Sequence, residues 1–157
     1  KESEMKVKIR KIERKEEEQV IIECVKVTPQ VEDICAYARS RGEVLYGIVR
    51  GKDDPSEKQS ERFLLTEVLY FEAVDERIFA YTKEQVYEIR GRLYEIEETY
   101  KDNYFVRCSK SVVLNLMQLQ SISPALNGRF SALMKNGEKL IISRQYAPVL
   151  KKIVMGA

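Results

Sequence analysis

The stretch Phe105–Leu116, FVRCSKSVVLNL, decides how the second half of the chain is read. Its two flanks are apolar and have strand composition. Its centre holds Arg107, Ser109, Lys110 and Ser111, groups that are costly to bury unpaired. Two strands joined by a small basic, hydroxylated excursion satisfy both parts of the pattern. A β-bulge at a sheet edge, with Lys110 merely solvated, is the plainer form of the same reading.

Downstream the strand period continues. QSIS extends the strand signal, and Asn127-Gly128 and Asn136-Gly137 are hairpin-turn dipeptides framing RFSALMK. EKLIIS completes that sheet, and Ser143 can cap a last helix that Pro148 forces to open irregularly or to begin near the proline. Upstream, VLYFEAV and IFAYT form a strand pair joined at Asp75, Glu76 and Arg77, and VYEI adds a third strand. Leu93, Ile96 and Tyr100 then recur at helical spacing among glutamates.

The first sixty residues read as a small α+β unit. Val7, Ile9 and Ile12 lie in a mostly alternating segment, VIIECVKV (Val20 to Val27) has strand composition, and RKEEEQ between them reads as a charged turn or hairpin tip. Thr28-Pro29 signals a helix start, Val31, Ile34, Cys35 and Ala38 give it an apolar face, and Gly42 stops it before the strand EVLYGIVR. GKDDPSEKQSE, Gly51 to Glu61, reads as a linker or exposed loop. The expected division is thus a small α+β subdomain at 5–60, for dimerisation or partner binding, and a mainly β domain at 62–157. Met5 is a candidate natural start.

Composition narrows function. The chain has 157 residues and no histidine, which removes the commonest general base, the commonest metal ligand and every Ser-His or Cys-His pairing. The carboxylates form no spaced pair in an apolar setting, so neither an enzyme nor a cofactor site is expected. Cys24, Cys35 and Cys108 make no CxxC pair and read as reduced thiols. With no membrane-length apolar run and no signal-peptide pattern, a cytoplasmic location is expected. Residues 1–102 carry 19 Lys and Arg against 24 Asp and Glu, a balance of −5. Residues 103–157 carry 8 against the single Glu138, a balance of +7. Basic charge segregated in this way suits a polyanion partner.

Three polar features fall on connections: the turn with Arg77, the knot Ser109-Lys110-Ser111, and Ser143-Arg144-Gln145. Loops on a rigid sheet commonly carry binding chemistry. The order VLYFEAVDERIFAYT, a short acidic helix, FVRCSKSVVLNLMQLQSI and LNGRFSALMKNGEKLIISRQYAPVLKKI resembles the LytTR DNA-binding domain of bacterial transcription regulators, over Leu65 to about Ile153. The resemblance implies a mainly β fold, with antiparallel strands and short helices, that lays loops into successive major grooves of double-stranded DNA. Carried over by position, its DNA contacts are the Glu76/Arg77 turn, Lys110 and Arg144. The full expected set is Arg77, Ser109, Lys110, Arg129, Ser143, Arg144 and Gln145.

Two departures stand out. The family's frequent His-Arg is Ser109-Lys110 here, a point charge in place of a planar fork. The first loop carries Asp75 and Glu76, which repel phosphate unless they face a cytosine amino group or point away. A protein-interaction module of LytTR shape is the alternative. The resemblance further implies a homodimer and a membrane-protein regulator as partners; no small-molecule substrate is expected.

Overall fold

The computed structural model describes residues 5–40 and 42–156. Helix α1 (Pro29–Ser40) opens at the expected place: Val31 N–H donates to Thr28 Oγ1 at 3.3 Å, and Pro29 occupies the first helical position, where a missing N–H costs nothing. Gly42, at φ 64°, follows the helix and donates its N–H to the Tyr37 carbonyl.

Seven strands then form one antiparallel sheet, beginning with β1 (Val44–Arg50), β2 (Lys58–Leu64), β3 (Val68–Val74), β4 (Arg77–Thr82) and β5 (Val86–Ile89). Helix α2 (Leu93–Tyr100) intervenes before β6 (Phe105–Arg107) and β7 (Val112–Asn115). The strand order is β2-β1-β5-β4-β3-β7-β6. Three more strands, β8 (Leu119–Pro124), β9 (Phe130–Met134) and β10 (Lys139–Ile142), form a second sheet, followed by α3 (Ala147–Met155).

Strand β3 explains the layering. Val68, Leu69, Tyr70 and Phe71 are all buried; Val68 and Phe71 enter one core and the adjacent Leu69 and Tyr70 the other, the alternation being broken by a register shift between Val68 and Tyr70. Phe71 joins Val113, Leu93 and Ile96 under α2, with Phe63 from β2. Leu69 and Tyr70 join Leu114, Ala132, Met134 and Leu150 between the sheets and α3. Tyr70 also reaches the second sheet through its hydroxyl, which donates to Glu138 Oε2 at 2.7 Å. Its ring stacks on Tyr81, and the Tyr81 hydroxyl donates to Glu72. Burial and the neighbouring carboxylate raise the Tyr70 phenol well above its ordinary range and push Tyr81 up to about 12.

Several expectations are corrected. Val20–Val27 is not a strand: residues 18–28 are irregular and mostly exposed, because strand composition describes fitness for a pleated, partly buried surface and no neighbouring strand supplies one. The polar stretch after Gly51 is a loop only to Glu57; Lys58 opens β2, which pairs with β1 in the register Val44↔Leu64 to Arg50↔Lys58. Residues 60–62 lie within β2, and β1 joins the large sheet through β5. Strands β7 and β8 are parted by a 3₁₀ turn at Leu116–Gln118 and belong to different sheets. Helix α3 begins at Ala147 with Tyr146 at its N-cap, so Ser143 does not cap it and Pro148 sits harmlessly in the first turn. No helix among the described residues is long and apolar enough to cross a membrane.

The turn after β7 depends on Asn115, buried at 2% exposure. Its Nδ2 donates to the Val68 carbonyl at 2.9 Å and its Oδ1 accepts from Met117 N–H at 3.0 Å. Replacing Asn115 with Ala is expected to cost roughly 1–3 kcal/mol in urea unfolding, because both backbone groups lose their partner. A change within experimental error would contradict this role.

Candidate nucleic-acid interface

The excursion between β6 and β7 is held by four consecutive carbonyls that each receive a donor from elsewhere. The Cys108 carbonyl accepts from Ser143 N–H at 2.9 Å, and the Ser111 carbonyl accepts from Ala73 N–H at 2.8 Å. Between them, Arg107 Nε donates to the Ser109 carbonyl at 2.9 Å and its terminal Nη2 donates to the Lys110 carbonyl at 2.7 Å. The remaining arm of the guanidinium donates to Glu97 of α2 at 2.9 Å. Arginine's rigid fork suits this multiple contact.

The knot is also a β-bulge, since Cys108 and Ser109 N–H both point to the Val112 carbonyl. The excursion and the bulge are one feature. Cys108 lies fully buried beneath, and burial pushes its thiol up to about 12, so it remains protonated and inert.

These bonds gather distant segments. Ala73 ends the β3 side of the first hairpin, and Ser143 follows β10, so the three connections singled out in the sequence meet at one end of the sheets. Lys110, Asn127, Arg129, Ser143, Arg144 and Gln145 line one open cavity of about 470 Å³. Three of these are cations and none is a carboxylate. Gly128 completes the wall: at φ 74°, a Cβ there would stand 3.1 Å from Arg144 Cδ, so the turn packs on the arginine's stem and limits where its guanidinium reaches.

Five of the seven expected residues thus share the cavity. Ser109 is half-buried beside it, and its hydroxyl accepts from Ser111 N–H at 3.3 Å. Arg77 does not line the cavity; it is the exposed first residue of β4, on the hairpin tied to the knot by Ala73. That hairpin turns through Asp75 and Glu76, both left-handed at φ 49° and 63°, a conformation that costs a non-glycine residue roughly 1–2 kcal/mol. Sequence reasoning missed Asn127 as a lining residue because Asn-Gly signals only a turn. It also left Arg107 without the internal role it has.

The model of the LytTr DNA-binding domain matches residues 58–155. The chain belongs to the LytTR family. Similar curated proteins include the sensory transduction protein LytT of Bacillus subtilis, 31% identical over 88 residues, covering 56% of this chain and 36% of that one. An uncharacterised HTH-type transcriptional regulator of Staphylococcus aureus is 26% identical over 88 residues, covering 56% and 59%. The chain thus spans only about a third to three fifths of these relatives. The solved LytTr DNA-binding domain of a Bacillus cereus response regulator aligns with a TM-score of 0.59 at 24% identity, covering 69% of this chain and 95% of that domain, which shows a shared fold. The LytTR match begins at β2, leaving α1 and β1 outside it.

Within this LytTR fold Arg107 is a structural arginine. Arg107→Met is expected to lower stability by roughly 1–3 kcal/mol and to speed hydrogen exchange at the amides of Cys108 and Ser143. Unchanged exchange at both amides would show that the fork does not hold the knot.

Proposed function

We propose that this chain is a sequence-specific DNA-binding transcription regulator that inserts its loops into the major groove of double-stranded DNA. The observation that carries the reading is the acid-free cavity in which Lys110, Arg129 and Arg144 converge. Three cations without a carboxylate among them suit phosphate and guanine, and the hydroxyl and amide of Ser143 and Gln145 add hydrogen-bonding groups for backbone and base edges. Arg144 is the reader of sequence, because its stem is fixed against Gly128 and its fork matches guanine O6 and N7. Lys110, exposed at the tip of the knot, is a phosphate contact. Arg77, Ser109 and Arg129 complete the surface as contacts to the flanking backbone.

The regulator works in the bacterial cytoplasm as a homodimer on repeated half-sites, without a cofactor or small-molecule substrate. The segment at 5–60 serves dimerisation or partner binding, and a membrane-protein regulator is one partner for it. A second reading, a protein-interaction module of LytTR shape with weak or no DNA binding, is favoured by the Asp75-Glu76 turn at the same end of the sheet.

Fluorescence anisotropy on a duplex selected from a random pool tests the assignment. Arg144→Ala is expected to lose roughly 1–3 kcal/mol on the selected site while changing random DNA little. Lys110→Ala is expected to weaken both alike and to reduce the salt slope by about 1. If neither variant departs from wild type, or if wild type shows no affinity for DNA at moderate salt, the protein-interaction reading takes its place.

A further inference from the structure

Residues 5–27 are the least explained part of the chain. Val7, Ile9, Val20, Ile21, Val25 and Val27 are each at least 62% exposed, and residues 5–28 enter no strand pairing among the described residues. β-Branched residues in a period-2 pattern lie open to water, where they gain nothing.

Charge divides this arm in two. Residues 5–15 hold six cations, Lys6, Lys8, Arg10, Lys11, Arg14 and Lys15, against Glu13 alone. Residues 16–27 hold Glu16, Glu17, Glu18 and Glu23 against Lys26 alone. Lys6, Lys8 and Arg10 share one side of an extended chain and Val7 and Ile9 the other, while the second half is apolar on both sides around Cys24. The two halves therefore complement each other in charge.

Within one chain the two halves touch at their connection, where Arg14 Nη1 stands 3.6 Å from Glu17 Oε1, but no strand pairing joins them among the described residues. The connection between them is a 3₁₀ turn, with Glu17 N–H donating to the Arg14 carbonyl and Glu18 N–H to that of Lys15. Lys15, Glu16, Glu18 and Val20 line an open cavity with Arg39 and Asp102. The arm continues into α1, which packs against the 3₁₀ turns at Leu65–Glu67, Lys101–Asn103 and Leu116–Gln118. Those turns lie at the ends of β3, β6 and β7 opposite the knot, so the part of the arm beside α1 stands away from the cationic cavity.

We propose that residues 5–27 are the contact between two copies of this chain, the basic half of each arm pairing antiparallel with the acidic half of the other. A segment that carries its own complement is satisfied by a second copy of itself, and two-fold symmetry uses each half once. Like halves repel, which selects the exchanged arrangement over basic against basic. Strand pairing supplies the backbone groups with partners while the valines and isoleucines close over one another.

Light scattering on the full chain after size exclusion tests this without reference to DNA. Wild type is expected at the mass of two subunits. Val25→Lys is expected at the mass of one, as are Lys8→Glu combined with Arg10→Glu, and Glu18→Lys combined with Glu23→Lys. An equimolar mixture of the two charge-reversed proteins is expected to regain the two-subunit mass. All these side chains are exposed, so each variant is expected to keep a cooperative thermal unfolding transition by circular dichroism, at a temperature lowered only by the loss of the partner. Wild type at one-subunit mass, variants that stay paired, or a mixture that stays apart would each overturn the proposal. So would charge reversal that weakens DNA affinity and leaves the mass of two subunits intact, which would make the arm a DNA contact instead.

Discussion

The constraint on which the rest depends is the need of four successive backbone carbonyls, Cys108 to Ser111, for hydrogen-bond donors. A chain that leaves its sheet for four residues loses its ladder partners. Here the replacements come from three places: Ser143 beyond β10, Ala73 at the end of β3, and the Arg107 side chain. Satisfying the knot therefore also fixes the two sheets against each other and draws three connections to one end. Binding geometry and backbone satisfaction are the same arrangement.

The consequence is a cationic surface with little freedom in its backbone. Lys110 sits on a bulge whose carbonyls are all engaged, and Arg144 follows directly on the Ser143 amide that closes the knot. The Asn127-Gly128 turn between β8 and β9 lies close beside the Arg144 stem. The backbone beneath these cationic side chains is thus held by its own hydrogen bonds. The strained Asp75-Glu76 turn is the exception on this end, an acidic tip where Asn-Gly would turn at lower cost.

Much of this was legible from the residues. The strand VLYFEAV, its partner IFAYT, the acidic helix and the FVR and VVLN strands are where composition and period put them. The knot announced itself because polar groups inside apolar runs demand an explanation. The resemblance pointed to Lys110 and Arg144 together, since no spacing rule joins residues so far apart; that Ser143 and Gln145 line one cavity with them is seen only in the structure. Local pattern failed where pairing decides the outcome. VIIECVKV has strand residues but no neighbour, KQSE has loop residues but lies in β2 beside β1, and Arg107 looks like any surface cation until its carbonyl partners are seen.

The most direct test of the convergent cationic surface is an amide chemical-shift map of the ¹⁵N-labelled chain during titration with a selected duplex. The largest changes are expected at residues 109–111, 127–129 and 143–145, with α1 undisturbed. Changes centred on α1, or spread evenly over the molecule, would contradict the account.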